Sequence, residues 1–138
     1  MTDAAPTPEV DPIAAAGRAA AELAELTGAP THDIALVLGS GWLPAVDLLG
    51  ETVAEFASTE LHGFAPPAVA GHAGRIRSIT TSSGSRALVL LGRTHLYEGR
   101  GVDAVVHGVR TASAAGCRTI VLTNGCGGLD PQLSLIHI

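Results

Sequence analysis

Three short apolar runs, each emptying into a turn of small or polar residues, constrain this chain most. Ile34-Ala35-Leu36-Val37-Leu38 leads into Gly39-Ser40-Gly41, and Ala87-Leu88-Val89-Leu90-Leu91 leads into Gly92-Arg93-Thr94-His95-Leu96-Tyr97-Glu98-Gly99. The third run, Arg118-Thr119-Ile120-Val121-Leu122-Thr123, leads into Asn124-Gly125-Cys126-Gly127-Gly128. The first two are continuous apolar runs of the length that a strand covered on both faces needs, and the third reads as a further strand, so the sheet requires helices around it and the fold class is α/β. Open α/β sheets bind their ligands at the carboxyl ends of the strands, where these turns lie.

The helices are read from their boundaries. Asp11 places a capping side chain before Pro12 at the first helical position, and Ile13, Ala16, Gly17, Ala20, Leu23, Ala24 and Thr27 then recur at three and four. Gly28 and Pro30 end that helix. Val102, Val105, Val106, Val109 and Ala112 make a second stripe that stops at Gly116, and His107 and Arg110, lying off it, read as solvated. Trp42 to Leu49 permits a short helix, with Pro44 confined to its first turn.

Thr52 to Phe56 reads as a strand, and His62 to Pro67 as a loop. Gly71-His72-Ala73-Gly74-Arg75 is a glycine-flanked loop, followed by Ile76, Ile79, the turn Ser82-Ser83-Gly84-Ser85 and the strand that ends at Leu91. This pattern describes a β-hairpin, and its register decides whether His72 and Arg93 share one end of the sheet. Residues 1–10 are polar, aperiodic and read as a disordered lead-in.

Composition narrows the function. A net charge of −5 with only 8 Lys and Arg, all dispersed, excludes a nucleic-acid footprint. No apolar run approaches the roughly 20 residues of a membrane helix, and the start lacks a basic segment leading to a cleavage site. With two cysteines, Cys117 and Cys126, the chain reads as reduced and cytoplasmic, both thiols being small core side chains. A dinucleotide fingerprint wants glycine or alanine where Pro44 stands, so Gly39-Ser40-Gly41 is a weak signal for it and serves equally well as a plain strand-to-helix turn.

The chemistry at the strand ends suits an oxyanion. Arg93 presents two parallel N–H bonds, His95 and Ser40 add donors, and the amides at Gly41 and Gly125 close a cradle without formal charge. Glu98 fits as the group that orients His95 or accepts from a protonated phosphate oxygen, and Tyr97 as a sugar contact. Taken singly, each residue has a plainer reading: Arg93 with Glu98 as a surface ion pair, His95 as a satisfied core histidine, His72 as a surface residue, Tyr97 as packing. Their concentration between glycines, directly after a buried strand, favours the site.

These motifs, from Gly39-Ser40-Gly41 through Gly71-His72-Ala73-Gly74-Arg75 and Gly92-Arg93-Thr94-His95-Leu96-Tyr97-Glu98-Gly99 to Thr123-Asn124-Gly125-Cys126-Gly127-Gly128-Leu129-Asp130-Pro131, resemble in order and spacing those of the trimeric purine nucleoside phosphorylases. The Arg-x-His-x-Tyr-Glu-Gly element is the most specific of them. The resemblance implies a phosphorylase/hydrolase-like fold with a central mixed sheet flanked by helices, of which residues 11–132 would be the N-terminal half of a single domain. It implies phosphorolysis of purine (deoxy)ribonucleosides to free base and sugar 1-phosphate. Ser40, His72, Arg93, His95 and Gly125 would bind phosphate, Tyr97 and Asn124 the nucleoside, and His95 with Glu98 would be catalytic.

Phosphate would be a co-substrate, with no metal and no organic cofactor, and the intact enzyme a homotrimer. Family members continue for a comparable length, with the base-reading residues in that second half, whereas Leu133-Ser134-Leu135-Ile136-His137-Ile138 reads as a foreign or frameshifted tail. The expectation is therefore a truncated chain that has no phosphorolytic activity alone. A non-catalytic phosphate- or nucleotide-binding module is the alternative the same turns would support, and a partly folded chain that binds nothing is the plainest.

Overall fold

The capping chemistry at Asp11 and Pro12 sets the first helix. In the computed structural model of the chain, which describes residues 11–39, 41–66, 74–125, 129, 130 and 132, α1 spans Pro12–Thr27. The Asp11 carboxylate accepts from the Ile13 amide at 2.9 Å, and Gly28 closes the helix in the left-handed conformation at φ 63°. Its buried face is Ala16, Ala19, Leu23 and Thr27. This corrects the expected stripe, since Ile13 is 66% exposed and Gly17 is also open to solvent. In an alanine-rich helix the apolar pattern is degenerate, and contact with the third helix selects which alanines turn inward.

Five strands follow: β1 Ile34–Leu38, β2 Gly50–Ala57, β3 Arg75–Thr81, β4 Arg86–Leu91 and β5 Thr119–Leu122. They form one mixed sheet in the order β2-β3-β4-β1-β5. β1 runs parallel to both β4 and β5, while β2, β3 and β4 are antiparallel neighbours. The expected hairpin is therefore present, as is the α/β class. The short helix α2, Leu43–Val46, carries Pro44 in its first turn, and α3, Gly101–Ala114, makes the crossover from β4 to β5.

Alternation along the strands divides the core between the two sheet faces. Ala35, Val37, Leu88 and Leu90 join Ala19 and Leu23 of α1 and Ala112 on α3. Leu38, Ala87, Val89 and Leu91 pack with Val46 and Leu49 on the other face. β4 is buried almost throughout, because it is central and covered on both sides.

His107 overturns the reading of it as solvated: it is 6% exposed. Its Nε2–H donates to the His62 carbonyl at 2.8 Å, and its ring meets Phe64 edge-on at 4.8 Å. The 61–66 loop folds over α3 and buries a position that helical periodicity assigns to solvent. Arg110 is partly exposed and donates to Asp103 at 2.6 Å. Val102, at the other extreme, belongs to the expected apolar stripe and is 62% exposed.

Candidate functional site

Register brings the three turns together. Leu38 pairs with Leu91 and Val37 with Leu122, so the chain leaves β1, β4 and β5 at adjacent points. Arg75 pairs with Leu91 across the hairpin, which puts the start of β3 at this same end of the sheet. The Gly74-Arg75 end of the glycine-flanked loop therefore lies beside Gly92-Arg93.

Hydrogen bonds lock the turns to one another. The Thr123 hydroxyl donates to the Val37 carbonyl at 2.9 Å and accepts from the Gly39 amide at 3.0 Å. Gly92 N–H donates to the Leu38 carbonyl at 3.1 Å, and glycine is required there because φ is 108°. Arg93 Nη1 reaches the Thr123 carbonyl at 3.2 Å. A Cβ on Gly39 would lie 3.5 Å from that same nitrogen, so the guanidinium packs against the glycine backbone.

The segment after Arg93 turns through a short 3₁₀ helix, Leu96–Glu98, closed by Gly99 at φ 72°. That turn folds Glu98 back onto His95. One carboxylate oxygen, Oε1, accepts from the His95 amide at 2.8 Å and lies 3.1 Å from Nδ1. An ionised carboxylate only accepts, so Nδ1 carries the proton in this contact. The His95 amide holds the Glu98 carboxyl below its usual range, and burial pushes the other way; the His95 ring and the Arg100 guanidinium add to the lowering. Tyr97, 77% exposed, stacks on the His95 ring at 4.8 Å and 16°.

Among the expected site residues, Arg93, His95, Tyr97 and Glu98 thus fall on one turn, and Asn124 and Gly125 on the adjoining turn after β5. Ser40 and His72 lie outside the described residues, as do Cys126 and the 133–138 tail. Arg93 and Glu98 do not form the surface ion pair of the plainer reading: Arg93 engages a backbone carbonyl, whereas Glu98 faces His95 and Arg100. Thr123 and Arg100 were not singled out from the sequence. A hydroxyl at the last position of an apolar run is the signal for Thr123; for Arg100 there is none, because its partner is set by the 3₁₀ turn.

A cavity of about 260 Å³ opens at this end of the sheet, with Arg93, Thr94, Glu98, Phe64, Val105 and Leu122 in its lining. Arg75 also lines it but is held by Glu55 of β2. Away from the site, Cys117 is buried and its thiol is pushed up to about 11, mainly by burial, so it is not a nucleophile at neutral pH. Among the described residues no cluster of His, Cys, Asp and Glu is placed to hold a metal ion, and no helix is long and apolar enough to cross a membrane.

No protein-family model matches the chain. A purine nucleoside phosphorylase of Cellulomonas sp is 57% identical over 129 residues, covering 91% of this chain and 46% of that relative. Over this span the chain is similar in sequence to the purine nucleoside phosphorylases. A purine nucleoside phosphorylase solved with ribose-1-phosphate superposes with a TM-score of 0.77 at 29% identity, covering 92% of this chain and 46% of that one. The Schistosoma mansoni phosphorylase solved with inosine gives a TM-score of 0.75 at 29% identity, over 89% of this chain and 42% of its own. The chain thus spans about half the length of the phosphorylases it matches.

Proposed function

We propose that this chain forms the phosphate-holding part of an enzyme that phosphorolyses purine (deoxy)ribonucleosides. The observation that carries the reading is the convergence of the Arg93 guanidinium, the Glu98-oriented His95 ring and the Gly125 turn at one end of three parallel strands. Ser40 and His72 complete the phosphate set on this reading, Tyr97 and Asn124 meet the nucleoside, and His95 and Glu98 serve catalysis.

The chemistry follows from charge. A phosphate oxygen attacks the anomeric carbon as the bond to the purine nitrogen breaks, giving sugar 1-phosphate and free base. The migrating sugar is cationic in character, so a fixed phosphate stabilises the developing charge and supplies an oriented nucleophile. The guanidinium grips the anion, and the carboxylate on Nδ1 fixes the ring so that its other nitrogen faces a constant direction. Inosine and ribose-1-phosphate in the phosphorylases with the same fold support this substrate class.

For the whole enzyme, the family resemblance supports a cytoplasmic homotrimer with phosphate as co-substrate and no metal or organic cofactor. Within it, residues 11–132 would be the N-terminal half of one domain, followed by a six-residue stretch, 133–138, outside the family pattern. The chain alone is expected to bind inorganic phosphate without releasing hypoxanthine from inosine. Calorimetry with phosphate, inosine and a dinucleotide tests the reading. Binding of the dinucleotide alone would replace it with a nucleotide-binding module.

A further inference from the structure

We propose that Arg100 is a positioning residue of the strand-end site: its guanidinium holds one oxygen of Glu98 so that the other stays on His95. The inference rests on the phosphate reading given above. Arg100 Nε lies 3.5 Å from Glu98 Oε2, while Oε1 takes both the amide and Nδ1 of His95. The chain brings Arg100 there through two left-handed glycines on either side of it, Gly99 at φ 72° and Gly101 at φ 81°. Arg100 itself caps α3 at φ −85°.

Two features separate this contact from an ordinary surface pair. The Glu98 side chain is 7% exposed and that of Arg100, an exposed residue, 29%, so the pair is partly shielded from solvent on the Glu98 side. The neighbouring charges have other partners: Asp103 is held by Arg110 at 2.6 Å and Arg93 donates to the Thr123 carbonyl. Among the described residues the ion pairs of Glu98 are with His95 and Arg100.

The functional consequence is electrostatic. A bare carboxylate beside His95 would repel the phosphate dianion that Arg93 attracts. Pairing with Arg100 cancels that formal charge but leaves Oε1 as the acceptor that orients the imidazole.

The test uses the full 138-residue chain. The Glu98 side-chain carboxyl is followed by NMR against pH in the wild type, R100Q and R100K, and phosphate binding is measured by calorimetry in each. R100Q is expected to raise the Glu98 midpoint by about half a pH unit and to weaken phosphate about threefold. R100K should bring both back toward the wild-type values. Circular dichroism checks that each variant keeps its fold. An unchanged midpoint in R100Q overturns the role of Arg100 whatever phosphate does. A shifted midpoint with no phosphate binding to the wild type overturns the phosphate reading, and with it the role of Arg100 there, while the ion pair itself stands.

Discussion

Arg93 Nη1 donates to the carbonyl oxygen of Thr123 at 3.2 Å, bridging the turns after β4 and β5 across Gly39, the glycine that follows β1. The guanidinium is exposed, so its contribution to stability is a single solvated hydrogen bond, whereas its contribution to anion binding is a charge and a fork of donors. R93Q should therefore cost less than about 1 kcal/mol of unfolding free energy and weaken phosphate by roughly tenfold or more. R93K keeps the charge without the fork and should fall between. Calorimetry and urea unfolding on the same preparations separate the two effects; a large stability loss with unchanged phosphate affinity would reverse the assignment.

Thr123 is the opposite case. Its hydroxyl serves two backbone groups, donating to Val37 and accepting from Gly39. T123V keeps the shape and leaves the Gly39 N–H without its acceptor, which should cost about 1–3 kcal/mol in urea unfolding. T123S keeps the hydroxyl and should stay within about 1 kcal/mol of the wild type. Equal losses in the two variants would mean that the methyl group, not the hydrogen bonds, holds the turns together.

Gly63 and His107 are coupled by close approach. A Cβ at Gly63 would come within 2.7 Å of His107 Nε2, and the backbone there is left-handed at φ 79°. G63A should destabilise the fold by about 1–3 kcal/mol, combining backbone strain with the clash. In an H107A background the clash is gone, so the extra cost of G63A should drop to that of the backbone alone. A double-mutant cycle by urea unfolding measures the difference, and strict additivity would rule the contact out.

Local signals made much of the fold legible. Asp11-Pro12 and Gly28 bound α1 because capping acts within a turn, and the apolar runs at 34–38 and 87–91 are strands because both of their faces are covered. Contacts distant in sequence were not legible. His107 lies off its helix's apolar stripe and is buried only because the 61–66 loop crosses it. The hairpin pattern was visible, but the pairing of Arg75 with Leu91, which puts the Gly74-Arg75 end of the glycine-flanked loop beside Gly92-Arg93, is a property of register. In the site, Arg93, His95, Tyr97 and Glu98 are legible together because the four fall within six consecutive positions of one turn. Arg100 was missed although it lies two residues further on, since pairing with Glu98 depends on the turn at Gly99.

His32 supplies a pH dependence remote from the strand ends. It is 2% exposed, with Nε2 2.9 Å from the Ser78 hydroxyl, which is itself buried. Burial lowers the imidazole below its ordinary 6.5 and the positive Arg86 lowers it further, while Asp33 works weakly the other way. The unfolded chain therefore takes up a proton at this residue at a higher pH than the folded one does. The stabilisation is fully present above about pH 6.5 and declines as the pH falls from there through the lower folded value. The lowered carboxyls, Glu55 and Glu98, have ordinary values of 4.5 and act in a more acid window. Unfolding free energy measured between about pH 7 and pH 5 should fall for the wild type and fall less for H32Q, whose amide can still reach Ser78 but does not titrate. Parallel curves for the two proteins would show that the imidazole is protonated in the folded chain as readily as in the unfolded one.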